Sequence, residues 1–418
     1  MSVAHQAGAS LPNEQRLGNA ASCLRTLRDS DATLTISQLA SRTNLSRPTV
    51  DAVLRDLADV APVTNDSRTR SSGVGRPARH FGFDASAGCV AGIDAGRHTL
   101  RLTLTDLAGT VLASRESPVT PGSTADEQLA AVTQLVERAR AESGAGPVRA
   151  AGVGVPGIID HDQRLTHSLA LPDWVGHPVV DRVGDALGCP VILENDIKLA
   201  ALAEHRLRDD PPDNVVFLQV GNRISLALIV GGQVLQGSHR IAGELGTLRG
   251  MRWTASSERG QLRWRAAQTA TEVFALAADG DLAASREIEE FCAEIAPGVA
   301  TILLTVDPDL VVVGGGLTRA GEVFLDPLTA AVHHHLTIDA RPPLVAALLR
   351  STGPTVGAVG LAFQDLSDAV VGVAGVEPPW WRWRPPDAAL PGRPADHAVP
   401  WPDPPHVNPN RTNTKENT

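Results

Sequence analysis

Ser46, Arg47, Thr49 and Arg55 lie close together in one short stretch of the chain and offer two hydroxyls and two guanidiniums. Projected from a single helix face, such groups donate to phosphate oxygens and to the acceptor edges of bases. Four further arginines, Arg68, Arg70, Arg76 and Arg79, follow in a segment rich in Ser, Gly and Arg. They are placed to meet a nucleic-acid backbone or minor groove.

The elements that must position these groups are legible around them. Residues 33–60 read as two short helices joined by a tight turn. Leu39, Ala40, Val50, Val53 and Leu57 fall at helical spacing, with a break at Thr43-Asn44-Leu45. Ala40 is small enough for a close helix crossing, and Asn44 tolerates a left-handed turn. Ser46 can cap the second helix, and Pro48 is tolerated in its first turn. Taken alone, the stretch also fits an ordinary two-helix hairpin, because the motif is short. Its flanks narrow the reading. Gln15 to Leu27 gives a preceding helix, and a short strand, a basic loop and a strand returning through Phe81-Gly82-Phe83 follow. Three helices and a basic hairpin predict a winged helix-turn-helix over residues 14–84, behind an N-terminus (1–13) expected to be disordered.

The charge distribution agrees. The 418 residues carry a net charge of −10. Between Glu14 and Phe81, however, ten arginines face seven acids, a local +3 that leaves −13 for the rest. A basic head on an acidic body fits a DNA-contacting unit attached to something DNA repels. No apolar run approaches the ~20 residues that span a bilayer. The first residues lack the charged and apolar regions of a signal peptide, so a cytoplasmic location without membrane attachment is expected. Four scattered cysteines (Cys23, Cys89, Cys189, Cys292) form no CxxC pair and suggest neither a disulfide framework nor a cysteine metal site.

From Cys89 the pattern becomes α/β. CVAGIDAG reads as a buried strand entering a glycine turn, HTLRLTLTDLAGTVL as two alternating strands turning at Leu107-Ala108-Gly109, Asp126 to Ala141 as a helix, and residues 149–160 as a buried strand with a Gly-Pro-Gly loop. Pro190 to Asp196 reads as a strand entering the helix Lys198–Arg206, and residues 214–234 as two more strands. Helices are predicted over Gln261–Ala278 and Leu282–Val306, ahead of the strand at Leu310. The strand-strand-turn theme at 89–115 returns at 214–236, which predicts two similar lobes with a cleft beyond the strand ends. The body is placed at 85–376. Residues 377–418, rich in Pro, Trp and Arg, are expected to be a disordered or weakly docked tail.

A winged head followed in order by GRPA, GIDAG, GVGVPGIID, LPDW, LENDIKLAALAE, IAGELGT and VVVGGGLTRAG resembles the ROK family of repressors, open reading frames and kinases. The resemblance implies an actin/hexokinase-like two-lobed body that binds sugar and ATP in kinase members. It places the catalytic-base position at Asp196, and sugar contacts at Asn195, Asp196 and Glu244. The first phosphate loop corresponds to Asp94-Ala95-Gly96-Arg97-His98 and the second begins at Gly221. Here Arg97 and His98 replace the family's Gly and Thr, and Asn222, Arg223 and larger residues fill the second loop. Loss of ATP binding is therefore expected. Thr247 replaces the family's zinc-binding His, and no cysteine follows from Leu248 to Ala266, so neither metal nor cofactor is expected. Lys198 stands where the family commonly has Asn, and its charge is expected to depress the pKa of Asp196.

These residues lead to a DNA-binding regulator, presumed a repressor, whose catalytically inactive body senses a sugar or sugar-derived effector. It would form a homodimer or homotetramer on a double-stranded operator. An ATP-dependent sugar kinase with an appended DNA-binding domain is the enzymatic alternative, and a scaffold using the acidic body and tryptophan-bearing tail is a third.

Overall fold

The computed structural model describes residues 14–66, 79–221, 224–245, 254, 257–258, 261–339 and 341–385. The chain opens with α1 (Glu14–Arg28), β1 (Leu34–Thr35), α2 (Ile36–Thr43), α3 (Arg47–Leu57), β2 (Val63–Asp66) and β3 (His80–Phe83). The three strands form an antiparallel sheet in the order β1-β3-β2. Local chemistry sets each boundary. Thr35 and Gln38 close a capping box at the start of α2, and Asn44 ends it in the left-handed region at φ 57°. Ser46 Oγ then accepts the Thr49 N–H at 3.2 Å, with Pro48 in the first turn of α3. Residues 67–78, with Arg68, Arg70 and Arg76, lie outside the described residues.

The body contains two five-stranded sheets of similar plan. The first is built from β4 (Cys89–Ala95), β5 (Thr99–Asp106), β6 (Val111–Pro118), α4 (Ala125–Ser143), β7 (Val148–Val155), the short pair β8 (Ile158–Ile159) and β9 (Leu165–His167), α5 (Val179–Leu187) and β10 (Val191–Asn195). The helix α6 (Asp196–Arg206) leads to the second half: β11 (Val215–Val220), β12 (Ile224–Val230), β13 (Gln233–Val234), the short pair β14 (Ser257–Glu258) and β15 (Gln261–Leu262), α7 (Ala270–Ala278), α8 (Leu282–Val306), β16 (Leu310–Gly314), α9 (Glu322–His334) and β17 (Leu344–Ala346). Strand orders are β10-β7-β4-β5-β6 and β13-β12-β11-β16-β17. In each, an antiparallel three-strand meander is extended by two parallel strands. The helix predicted from Gln261 does not begin there. Gln261 and Leu262 pair as β15, and α7 starts only after Thr269, whose capping box with Glu272 fixes its N-terminus. Among the described residues, no helix is long and apolar enough to cross a membrane.

The chain then returns to the first sheet through α10 (Gly353–Asp365) and α11 (Ser367–Val371). The helix α10 packs on β4, β7 and α6, and its glycines permit this. A Cβ on Gly357 would lie 2.0 Å from Leu199 O, and one on Gly360 would lie 1.9 Å from the Trp380 ring. One apolar cluster runs from Leu24, Leu39, Val53 and Leu57 of the head into Val90, Val356, Phe363, Val370 and Trp383. Head and first lobe therefore share a core.

The expected tail boundary needs correction, because residues 377–385 are docked. Buried Arg28 donates through Nη1 to the Glu377 carbonyl at 2.6 Å, and Arg25 pairs with the Glu377 carboxylate at 2.6 Å. A 3₁₀ turn over Trp380–Trp383 follows. In it Trp383 is 1% exposed and its Nε1 donates to Gly109 O at 2.8 Å, while its ring packs on Trp380 and Phe363. Arg384 ties the end down through Leu207 O and Asp209. Residues 386–418 lie outside the described residues. Trp383→Ala should cost about 3–5 kcal/mol in urea unfolding, because it empties a core site and orphans the Gly109 carbonyl. Trp381, 49% exposed and stacked with Arg382, should cost below about 1 kcal/mol on the same substitution. Equal losses would mean that the segment is not a packed part of the core.

Candidate functional site

Two regions gather the residues singled out above. On the head, α3 buries Val50, Val53, Leu54 and Leu57 and leaves Ser46, Arg47 and Arg55 exposed, with Thr49 half-buried. The Ser46 and Thr49 hydroxyls lie 2.7 Å apart and bond each other, so their first role is to cap the helix. Arg79, just before β3, holds its guanidinium 5.0 Å from the centre of the Phe81 ring. Both acids of α3 are ion-paired. Asp56 faces Arg16 of α1 at 2.8 Å, and Asp51 lies between Arg55 and Arg79.

In the body, the parallel strands bring Asp94, Gly154 and Glu194 into register, with Asn195 beside Val155 at the same carboxyl edge. Such an edge is where α/β sheets bind ligands. Asn195 caps α6 by accepting the Ile197 and Lys198 N–H groups. Its amide donates to Gly157 O at 2.9 Å and to Glu244 Oε1 at 3.1 Å. It thereby ties the first sheet to the segment that follows β13. Asp196, Asn195 and Glu244 thus lie together. Gly96 closes the β4–β5 turn by donating to Thr99 O, and Arg97 and His98 at its tip are exposed. Gly221 directly follows β11, while Asn222, Arg223 and Thr247 lie outside the described residues.

Electrostatics separate the acids. Arg101 lies directly across from Asp94 on β5, and Glu116 lies across from Arg101 on β6. The guanidinium bonds both, at 3.3 Å and 3.1 Å. Glu194 accepts from Arg240 Nη2 at 2.5 Å and from Gln236 Nε2 at 2.8 Å. Among the described residues, no cation pairs with Asp196 in this way. Although part of the residue's surface reaches solvent, loss of water around its carboxyl, reinforced by Asp94 and Glu244, pushes the pKa up to about 8. Burial likewise raises Glu244, with Lys198 and His167 opposing.

The expectation for Lys198 is overturned. Its ammonium points to Gln236 Oε1 at 2.8 Å and Arg240 O at 3.0 Å, and burial lowers its pKa. It braces the segment after β13 and leaves Asp196 uncompensated. Arg240 takes a left-handed φ of 58°, a conformation held by contacts to Glu194, Ile159 O and Lys198. Sequence reasoning missed Arg101, Glu194, Gln236 and Arg240. Arg101 had a readable signal, since a β4–β5 hairpin turning at Arg97-His98 sets it opposite Asp94.

Among known proteins, the model described as ROK family matches residues 90–365. The bifunctional enzyme NanE/NanK of Brucella melitensis is 30% identical over 52% of this chain, and the chain spans only 44% of that relative's length. A putative xylose repressor of Caldicellulosiruptor sp. is 22% identical over 82% of the chain and 94% of its own. The crystal structure of a ROK family transcriptional regulator, a homologue of the E. coli MLC protein, superposes with a TM-score of 0.64. It is 18% identical and covers 86% of this chain and all of its own. These neighbours fix the body as the actin/hexokinase-like α/β fold.

Asp196 offers a direct test of these electrostatics. Its folded-state pKa of about 8 lies above the ordinary 3.8, so the folded protein holds a proton that the unfolded chain releases. The contribution of this group to stability is therefore full below the unfolded value and is lost as pH rises through the window to the folded one. Asp196→Asn should flatten the fall in urea midpoint across that window. Parallel pH profiles for the two proteins would refute the assignment.

Proposed function

The chain belongs to the ROK family, and from that premise we propose that it is a DNA-binding transcriptional regulator, acting as a repressor. Its kinase-like body serves as an effector-sensing and oligomerisation module without catalytic activity. The head carries the reading. The order α1-β1-α2-α3-β2-β3, with a three-stranded antiparallel sheet closing on three helices, supports a winged helix-turn-helix, in which α3 would be the recognition helix. Its open face bears Arg47 and Arg55. The likeness to a repressor supports this reading, because its 82% share of the chain is larger than residues 90–365. Two heads on a symmetric oligomer would read two half-sites of a duplex operator.

In the body, Asn195, Asp196 and Glu244 would contact a sugar or sugar-derived effector, whose preference for one lobe arrangement would shift the heads. Loss of phosphoryl transfer is supported by the replacements at Arg97 and His98 and by Arg101, which already engages the Asp94 carboxylate. Sugar phosphorylation is the second reading. It is favoured by Asp196 at the N-terminus of α6, where a carboxyl titrating near neutrality suits a general base.

Duplexes from the chain's own promoter region should shift in a gel at low salt. Arg47→Ala and Arg55→Ala should each weaken binding by about tenfold, with a shallower salt dependence wherever a phosphate contact is lost. Failure of the wild type to bind, with no effect of Arg47→Ala, would end the regulator reading. ATP turnover over a hexose panel, abolished by Asp196→Asn, would establish the kinase instead.

A further inference from the structure

Arg47, Asp51 and Arg55 recur every fourth residue along α3 and therefore share one face, beside the buried face of Val50, Val53, Leu54 and Leu57. A carboxylate in the middle of this stripe weakens the attraction for any phosphate backbone. Its partners are specific. Asp51 Oδ2 lies 3.4 Å from Arg55 Nε, which also donates to the Asp51 carbonyl at 3.3 Å. Oδ1 lies 3.8 Å from Arg79 Nη1, on the guanidinium held over Phe81. Asp51 thus joins the helix to the arginine at the start of β3, whereas Asp56 is turned away toward Arg16 of α1. Exposed ion pairs of this kind contribute little to stability, so the fold gives Asp51 small reason to be acidic.

We propose that Asp51 is the specificity-determining residue of the head, and that with Arg55 it reads a cytosine·guanine pair in the major groove; this rests on the reading of the head as a DNA-binding unit. The major-groove edge of that pair presents the cytosine N4 amino donor beside the guanine O6 and N7 acceptors. A carboxylate next to a guanidinium is the complementary arrangement. Thymine or guanine at the position facing Asp51 offers no donor there and leaves a desolvated charge without a partner, which rejects the site. Adenine offers an amino group, but the O4 of its paired thymine accepts only one of the two donors on Arg55. By steering Arg79 as well, the same carboxylate fixes how the helix and the wing strand approach the groove together.

The test is selection from a library of duplexes with a randomised central segment, using the full chain. The selected duplex and its single-pair replacements are then titrated with wild type, Asp51→Asn and Asp51→Ala. Wild type should show one C·G position per half-site at which replacement weakens binding by about tenfold or more. Both variants should reduce that penalty to below about threefold at this position alone, and should bind an unrelated duplex more tightly because a repulsive charge is gone. Selection of the same sequence with the same penalties by either variant would overturn the proposal. So would penalties that fall equally at every position while circular dichroism shows α3 intact. A wild type that enriches nothing and binds no duplex would instead remove the DNA-binding reading, and the proposal with it.

Discussion

The arrangement of this protein depends on a seam of side chains that makes the head and the first lobe one core. A unit the size of the head buries a small share of its surface by itself and is marginal alone. Here Leu24, Leu39 and Leu57 continue into Val90, Val356 and Trp383 without a polar break. Arg28 crosses the seam with its guanidinium satisfied by Asp29 and by the Glu377 carbonyl, as a buried cation requires. The position of α3 in space is consequently a property of the first lobe, fixed from below by packing and from the side by the docked residues 377–385.

The same lobe carries the acidic edge, and there charge placement is selective. Arg101 offsets Asp94, and Arg240 offsets Glu194, each across a distance short enough for charge-assisted hydrogen bonding. Lys198 offsets neither Asp94 nor Asp196, although it follows Asp196 by two residues, because its long stem carries the ammonium to Gln236 and the Arg240 carbonyl. The result is a cluster in which burial raises Asp94, Asp196 and Glu244 together, with Arg101 opposing the shift only at Asp94. Desolvation and the nearby acids point the same way at Asp196, so its environment needs no single dominant partner to account for it.

Where local backbone chemistry dictated the outcome, the residues were legible in advance. Asn44, Ser46 and Pro48 set helix ends of the head through a cap, a first-turn proline and one left-handed residue, and Asn195 with its neighbours marked the junction of β10 and α6. Alternation in HTLRLTLTDLAGTVL gave β5 and β6 with their turn at Leu107-Ala108-Gly109. The docked tryptophans were not legible, because a 3₁₀ turn among prolines has no periodic signature and its stability comes from Gly109, Gly360 and Phe363, far away in sequence. Chain proximity also misled at Lys198, since adjacency does not say where a flexible side chain ends.

A comparison along α6 separates structural from functional burial. Glu204, near its end, is also a buried carboxylate, and its two oxygens accept the N–H groups of Leu348 and Leu349 at 3.0 Å and 2.7 Å. It thereby holds the link between β17 and α10, the path by which the chain returns from the second sheet to the first. Burial raises its pKa, but both backbone bonds and Arg208 oppose the shift, so the charge is used internally. Asp196, at the other end of the same helix, has a backbone bond to Ile197 and, among the described residues, no paired cation or interlobe donor. Two carboxyls on one helix thus differ in whether the fold consumes their hydrogen-bonding capacity. The one left with capacity to spare stands at the strand edge, beside Asn195 and Glu244, where a ligand rich in hydroxyls would find both donors and acceptors.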